Sequence, residues 1–176
     1  HGVAYIAEDR KDGLFLPLPV AEDITAAAPE TISRHGVIDP ARQRSLTGAF
    51  IDRLAIRTPG CDQPIMYLSG GNQQKCILAR WLAKGVETLF FDEPTRGIDV
   101  GAKSEIYRLI DALARDGKAV VLISSELPEV LGMADRILVM CDGRITGELS
   151  GADATEEAVL ALALPTDSAP KEVRAS

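Results

Sequence analysis

The sequence has no Gly-x-x-x-x-Gly-Lys-Ser/Thr phosphate loop: in its one Gly-Lys pair, Gly117-Lys118, Ala112 stands where the first glycine would be. No apolar run approaches the roughly 20 residues that a membrane-spanning helix needs, and nothing at the start resembles a secretory signal. Any membrane role therefore has to come through a protein partner. Basic residues are in deficit: 19 Lys and Arg against 26 Asp and Glu give a net charge of −7, which repels nucleic acid and anionic lipid at long range. Cysteines are few and odd in number. Cys61, Cys76 and Cys141 show no metal-ligand spacing and read as small core or surface residues of a reduced, cytosolic chain. The chain opens on His1-Gly2 with no Met, which reads as an interior start or a tag remnant.

What is present is enough for a folded domain. The 176 residues are 46% apolar, which supports one domain with a real core. Residues 2–7 read as a short strand and residues 8–13 as a charged loop. From about residue 20 to 85 the pattern is helical, with turns at Pro29, Gly36, Asp39-Pro40 and Thr58-Pro59-Gly60, and predicts an inserted helical subdomain. Its last helix should start at Gly70-Gly71 behind an N-cap at Ser69 and carry Ile77, Leu78, Trp81 and Leu82 on one face. Trp81 and Tyr67 read as packing residues, and His35, beside Gly36, as a surface or capping histidine.

After Gly85 the period changes. Thr88 to Phe91 is an apolar strand ending in carboxylates. Asp99 can cap a helix with Ile106, Leu109, Ile110 and Leu113 at i, i+3, i+4, i+7, stopped at Gly117. Ala119 to Ile123 is a second apolar strand, so the unit is βαβ, with a parallel sheet expected to be covered on both faces. A short helix from Glu126 to Met133, a hairpin around Asp142-Gly143 and a helix capped by Thr155 complete the expected order. The α/β core is thus assigned to residues 2–13 and 86–150, the domain to 1–164, and a polar, flexible tail to 165–176.

Two segments carry chemistry. A strand ending in Asp92-Glu93 places two carboxylates at the carboxyl edge of a parallel sheet, where such sheets bind ligands. In phosphoryl transfer an Asp so placed holds Mg²⁺ and a neighbouring carboxylate can polarise the attacking water. Ser69-Gly70-Gly71 offers a hydroxyl, closely approachable backbone and the free N–H groups of a helix start, which together suit a terminal phosphate.

Leu68 to Lys75 (LSGGNQQK), Asp92 to Lys103 (DEPTRGIDVGAK), Ala7 to Gly13 (AEDRKDG) and Ser124 to Ile137 (SSELPEVLGMADRI) together resemble the second nucleotide-binding domain of bacterial monosaccharide importers of the ribose, galactose and xylose type. These belong to the ATP-binding-cassette ATPases, and the resemblance covers about residues 2–160. It implies a partial P-loop NTPase fold, ATP and Mg²⁺ as cofactors, and the other cassette and transmembrane permease subunits as partners. A periplasmic sugar-binding protein would be an indirect partner, nucleic acid none, and the location the cytoplasmic face of the inner membrane. Residue by residue it implies Ser69, Gly70, Gly71 and Gln73 as the signature closing on ATP held by the opposite cassette. Asp92 becomes the metal carboxylate, Glu93 the general base and Asp99 part of the interface loop.

Two positions depart from the family pattern. Glu8 stands where cassettes usually carry a glutamine, and Ser125 where they usually carry the switch histidine. A serine cannot present an imidazole to a phosphate, and Glu8 would add negative charge beside it. The expectation is an asymmetric pair, in which this domain donates its signature and its own site turns over slowly or not at all. The alternative is a regulatory or interaction cassette that donates its signature without catalysis. Arg10 and Lys11 fit either a solvated charged loop or a contact with a permease.

Overall fold

Short apolar strands and capped helices alternate along the first 125 residues in a computed structural model, which describes residues 2–164; His1 and the expected tail at 165–176 lie outside the described residues. The order is β1 (Val3–Ile6), α1 (Arg10–Gly13), α2 (Val20–Thr25), α3 (Pro29–Ile32), β2 (Ser33–Arg34), β3 (Val37–Ile38), α4 (Pro40–Arg53), a 3-10 turn (Ile65–Tyr67), α5 (Gly70–Ala83), β4 (Thr88–Asp92), α6 (Val100–Arg115) and β5 (Ala119–Ile123). The chain divides into two units, His1–Ser125 and Glu126–Ser176.

In the first unit β1, β4 and β5 form a parallel sheet in the order β1-β4-β5. Parallel neighbours need a crossover, and α6 supplies it between β4 and β5. The fold is α/β, as the change of period predicts. Among the described residues, however, helices cover only one face of the sheet. Ala4, Ile6, Leu89 and Phe91 are buried on the side where α5 meets β1 and α6 meets β5. On the other face Val3, Tyr5, Val121 and Ile123 are exposed and Phe90 is half-buried. Apolar side chains on both faces of a strand report composition, but α5 and α6 shield only one side.

The α6 stripe appears as expected, with Ile106, Ile110 and Leu113 buried. Asp99 caps the helix by accepting from the Ala102 N–H at 3.0 Å, and Asp111 pairs with Arg115 one turn on. Three local expectations differ. The charged segment after β1 is not only loop: Asp9 accepts from the Lys11 N–H at 2.9 Å and nucleates the single turn α1. His35 is at the surface, as expected, but the helical run is broken there by a hairpin: His35 has φ 50 beside Gly36 at φ 80, because β2 and β3 pair across a two-residue turn. Tyr67 does not pack; it is exposed.

α5 is buried nearly all round from Gln74 to Arg80, so it behaves as a core helix more than an amphipathic one. Trp81 is only half-buried. Val20, Ile24, Ile32 and Ile65 are buried, as are Cys76 and Ile77 of α5 itself, and burial pushes the Cys76 thiol up to about 12. Two charges enter this core together. Arg80 on α5 forms an ion pair with Asp23 on α2, both side chains being almost wholly buried. The guanidinium also donates to Asp23 O at 2.8 Å and Gly13 O at 2.6 Å and stacks 5.0 Å from the Phe15 ring centre.

The second unit contains α7 (Leu127–Met133), the antiparallel pair β6 (Arg136–Cys141) and β7 (Arg144–Ser150), and α8 (Glu156–Ala163). The pair forms its own two-stranded sheet. Asp142 and Gly143, at φ 49 and 75, make the expected left-handed two-residue turn. Thr155 caps α8 by accepting from the Ala158 N–H at 3.2 Å. Ile137, Val139 and Val159 form this unit's core, with Leu127, Leu149 and Leu162 against them.

Arg80→Ala leaves Asp23 buried without its cation and is expected to lower unfolding free energy by about 3–5 kcal/mol in urea titrations. Lys84→Ala, which breaks the exposed pair with Glu30, should change stability far less, because solvent screens that pair. Equal losses would show that the Asp23 pair is not shielded from water. In the native protein a thiol reagent at mildly alkaline pH should modify Cys61 and Cys141, which are half-buried, well before Cys76; uniform labelling would contradict the buried core.

Candidate functional site

Two helix starts stand side by side. Ser69 occupies the N-cap position of α5 with extended backbone, φ −63 and ψ 155, yet its side chain caps no N–H of the helix. Its Oγ instead accepts from Asn72 Nδ2 at 2.8 Å. Asn72 Oδ1 accepts from the Arg57 N–H at 2.8 Å. One amide side chain thereby ties the serine hydroxyl to the segment after α4. At Gly71 the helices come so close that an added Cβ would lie 3.1 Å from Ala102 Cβ on α6. Glycine there serves helix packing as well as ligand approach.

The result is a cleft of about 260 Å³ lined by Arg57, Ser69, Gly71, Asn72, Asp99 and Glu105, among others. Beneath it Lys75, buried, donates to Glu105 Oε2 at 2.9 Å and to Ala55 O at 3.0 Å. Glu105 Oε1 accepts from Arg57 Nη2 at 3.0 Å. The hydrogen bond from Lys75, then its charge, holds the Glu105 carboxyl below its ordinary 4.5, and the Arg57 charge adds to this. Gln73, expected in the signature, turns away and donates to Ile65 O at 3.2 Å. Asn72 takes the place in the cleft, and its i+3 spacing from Ser69 is the signal that could have found it.

The second group lies at the carboxyl end of β4. Asp92 Oδ2 accepts a hydrogen bond from the Tyr5 hydroxyl, which pushes the Tyr5 phenol above its ordinary 10.0. Glu93 follows in left-handed backbone, φ 45, and its Oε1 accepts from the Ser125 N–H at 2.7 Å. The structure thus brings Asp92, Glu93 and Ser125 together, with Ser125 engaged through its backbone. Glu8 forms an ion pair with Arg96, so its charge is compensated within the chain, which the sequence reading missed. Arg10 donates to Arg96 O at 3.0 Å and lies against Gly70, where a Cβ would meet its Nη2 at 3.1 Å. Arg10 thereby touches both groups.

Among the described residues no cluster of three or more His, Cys, Asp or Glu could hold a metal ion unaided. Asp92 and Glu93 are hard oxygen donors, which suit a Mg²⁺ that keeps water and phosphate oxygens in its shell. The donor set therefore fits a metal arriving with a nucleotide.

The fold is that of ATP-binding cassettes. A dimeric ATP-binding cassette in a post-hydrolysis state, bound to ADP and Pi, matches with a TM-score of 0.67 over 84% of this chain and 62% of that chain, at 21% identity. CbiO1 from Clostridium perfringens, part of an ABC transporter complex, matches at 0.73 over 90% of this chain and 61% of that one, at 22% identity. At such identities the likeness is one of fold. In sequence the chain is 55% identical over 170 residues to putative ribose/galactose/methyl galactoside import ATP-binding protein 3 of Burkholderia ambifaria, covering 96% of this chain and 33% of that protein. It is 52% identical to ribose import ATP-binding protein RbsA of Rhodopirellula baltica, over 94% and 32% of the two chains. To arabinose import ATP-binding protein AraG of Rhizobium meliloti it is also 52% identical, over 96% and 34%. The chain is thus a homologue of part of the ATP-binding proteins of sugar import, spanning about a third of the length of the curated relatives it matches. No family model matches it.

Because the Glu105 carboxyl is depressed on folding, its stabilisation is complete above its ordinary value and is lost as pH falls through the lower folded value. Glu105→Gln should therefore be less stable than the parent at neutral pH, with the gap closing in thermal melts well below pH 4.5. A gap of constant width would mean that the Lys75 pair does not depend on the carboxylate charge.

Proposed function

We propose that this chain forms part of the ATP-binding subunit of a sugar ABC import system at the cytoplasmic face of the inner membrane, coupling ATP hydrolysis to carbohydrate uptake. Sequence identity to sugar-import ATP-binding proteins is the observation that carries this reading. The cleft at the two helix starts gives it a physical basis: Ser69, Gly70 and Gly71 offer a hydroxyl and free N–H groups to the terminal phosphate of ATP held by another cassette. Asn72 orients the Ser69 hydroxyl, and Asp99 sits at the same edge as the interface residue. The permease subunits are the membrane partners, with exposed Lys11 a contact for them, and a periplasmic sugar-binding protein acts through them.

Within this chain Asp92 is the carboxylate for Mg²⁺, which when bound spreads phosphate charge. Glu93 is the base that accepts the proton of the attacking water. Its carboxylate is held by the Ser125 N–H, and a serine at 125 has no imidazole to offer a phosphate. Glu8, neutralised by Arg96, does not repel a triphosphate as an unpaired glutamate would. The missing imidazole supports an asymmetric pair, in which the signature given to the other cassette matters more than this chain's own turnover, whereas the compensated charge of Glu8 removes one reason for that asymmetry. The second reading, an interaction cassette with no turnover of its own, is favoured by the engagement of Glu93 with Ser125.

The test is a pair of substitutions in the two-cassette protein with its permeases. Ser69→Arg should abolish ATP-driven uptake and Glu93→Gln should reduce it only modestly. Loss of uptake in Glu93→Gln with retention in Ser69→Arg would reverse the asymmetry. Calorimetry should further show no MgATP binding to this chain alone and tighter ATP retention when the other cassette is added.

A further inference from the structure

We propose that Arg57 is a further nucleotide-contacting residue: a cation that this chain presents beside Ser69 to the phosphate groups of a nucleotide held by another cassette. The inference rests on the signature reading above and extends it to a residue outside the signature. Arg57 lies in the segment after α4, twelve positions before Ser69 in sequence order, yet lines the same cleft.

Its position is built. The Arg57 N–H is held by Asn72 Oδ1 at 2.8 Å, and the same side chain holds the Ser69 hydroxyl through Nδ2, also at 2.8 Å. Asn72 therefore fixes the spacing between serine and arginine. The guanidinium is steadied by Glu105 Oε1 at 3.0 Å, while Lys75 occupies Oε2 of the same carboxylate. Among the described residues Glu105 is the only acceptor on this guanidinium, which leaves most of its N–H donors for another acceptor.

Charge gives the contact its sense. Arg57 is the one cation among the residues lining the cleft, against two carboxylates, Asp99 and Glu105. Lys75 compensates Glu105 from below and Arg10 lies against Gly70, but neither lines the cleft; without Arg57 a polyphosphate approaching Ser69 would meet Asp99 and Glu105 with no cation among the lining residues. With it the entry carries a fork suited to phosphate oxygens. A role confined to stability is a poor account of the same facts, because the side chain is 81% exposed and ion pairs so placed contribute little to folding.

The experiment is steady-state ATP hydrolysis by the two-cassette protein with its permeases, with MgATP varied. Arg57→Ala should raise KM for MgATP about tenfold, the usual loss for one charge-assisted contact, and Arg57→Lys should recover part of it. Ser69→Arg is run beside it. If Arg57→Ala keeps KM within about twofold of the parent while Ser69→Arg stops turnover, Arg57 is not a nucleotide contact and the signature reading stands. A lower thermal midpoint and lower kcat at unchanged KM would assign Arg57 to folding and overturn the proposal as well. If Ser69→Arg leaves turnover intact, the signature reading itself fails and takes this inference with it.

Discussion

The ion pair between Asp23 and Arg80 is the contact around which the first unit is arranged. Apolar side chains attract one another without fixing direction, so α2 and α5 could slide along each other at small cost. Arg80 removes that freedom. Its contacts reach Asp23 twice, Gly13 O at the end of α1 and the Phe15 ring, and Asp23 in turn accepts from the Phe15 N–H at 3.0 Å. Bare burial of either charge would be costly, and only the full set of directed bonds offsets it. One loose end persists: among the described residues Asp23 Oδ2 has no hydrogen-bond partner.

With one end of α5 pinned at Arg80, the other end is also determined. Lys75, one and a half turns nearer the start, is fixed by Glu105 from α6, and Gly71 by contact with Ala102. Three points along a single helix are therefore set by two different neighbours, α2 and α6. The place of Ser69 beside Asp99 follows from core contacts far from it. Local helix preference has little to do with it, since Gly70 and Gly71 are poor helix formers.

Much of this was legible because strong local signals agreed with the tertiary arrangement. The stripe Ile106, Ile110, Leu113 with Asp99 ahead and Gly117 behind names α6, and the turn pair Asp142-Gly143 names the hairpin of the second unit. Asp92 and Glu93 stood out as a candidate site because of the residues that flank them, Pro94-Thr95 and Gly97-Ile98-Asp99, and they lie at the carboxyl end of β4. What escaped were features set by partners distant in sequence. The i+3 spacing from Ser69 is a weak local mark of Asn72 over Gln73; the facing segments at Arg57 and Ile65 send one into the cleft and the other away from it. Arg96 beside Glu8, and Glu105 beside Lys75, are likewise pairs made by the fold. The open face of the sheet was misread because a strand's composition does not say how many helices lie against it.

The conformation of Glu93 has a consequence for how that corner can move. A left-handed backbone at a residue with a full side chain costs on the order of 1 kcal/mol, and glycine or asparagine would occupy the turn more comfortably. Two bonds to the end of β5 and just beyond keep the turn bent: the Glu93 N–H on Ile123 O at 2.9 Å and the Ser125 N–H on the Glu93 carboxylate at 2.7 Å. The corner is thus a loaded spring with a two-part catch. Drawing Ser125 aside would release the carboxylate alone, because the bond to Ile123 O still holds the backbone bent.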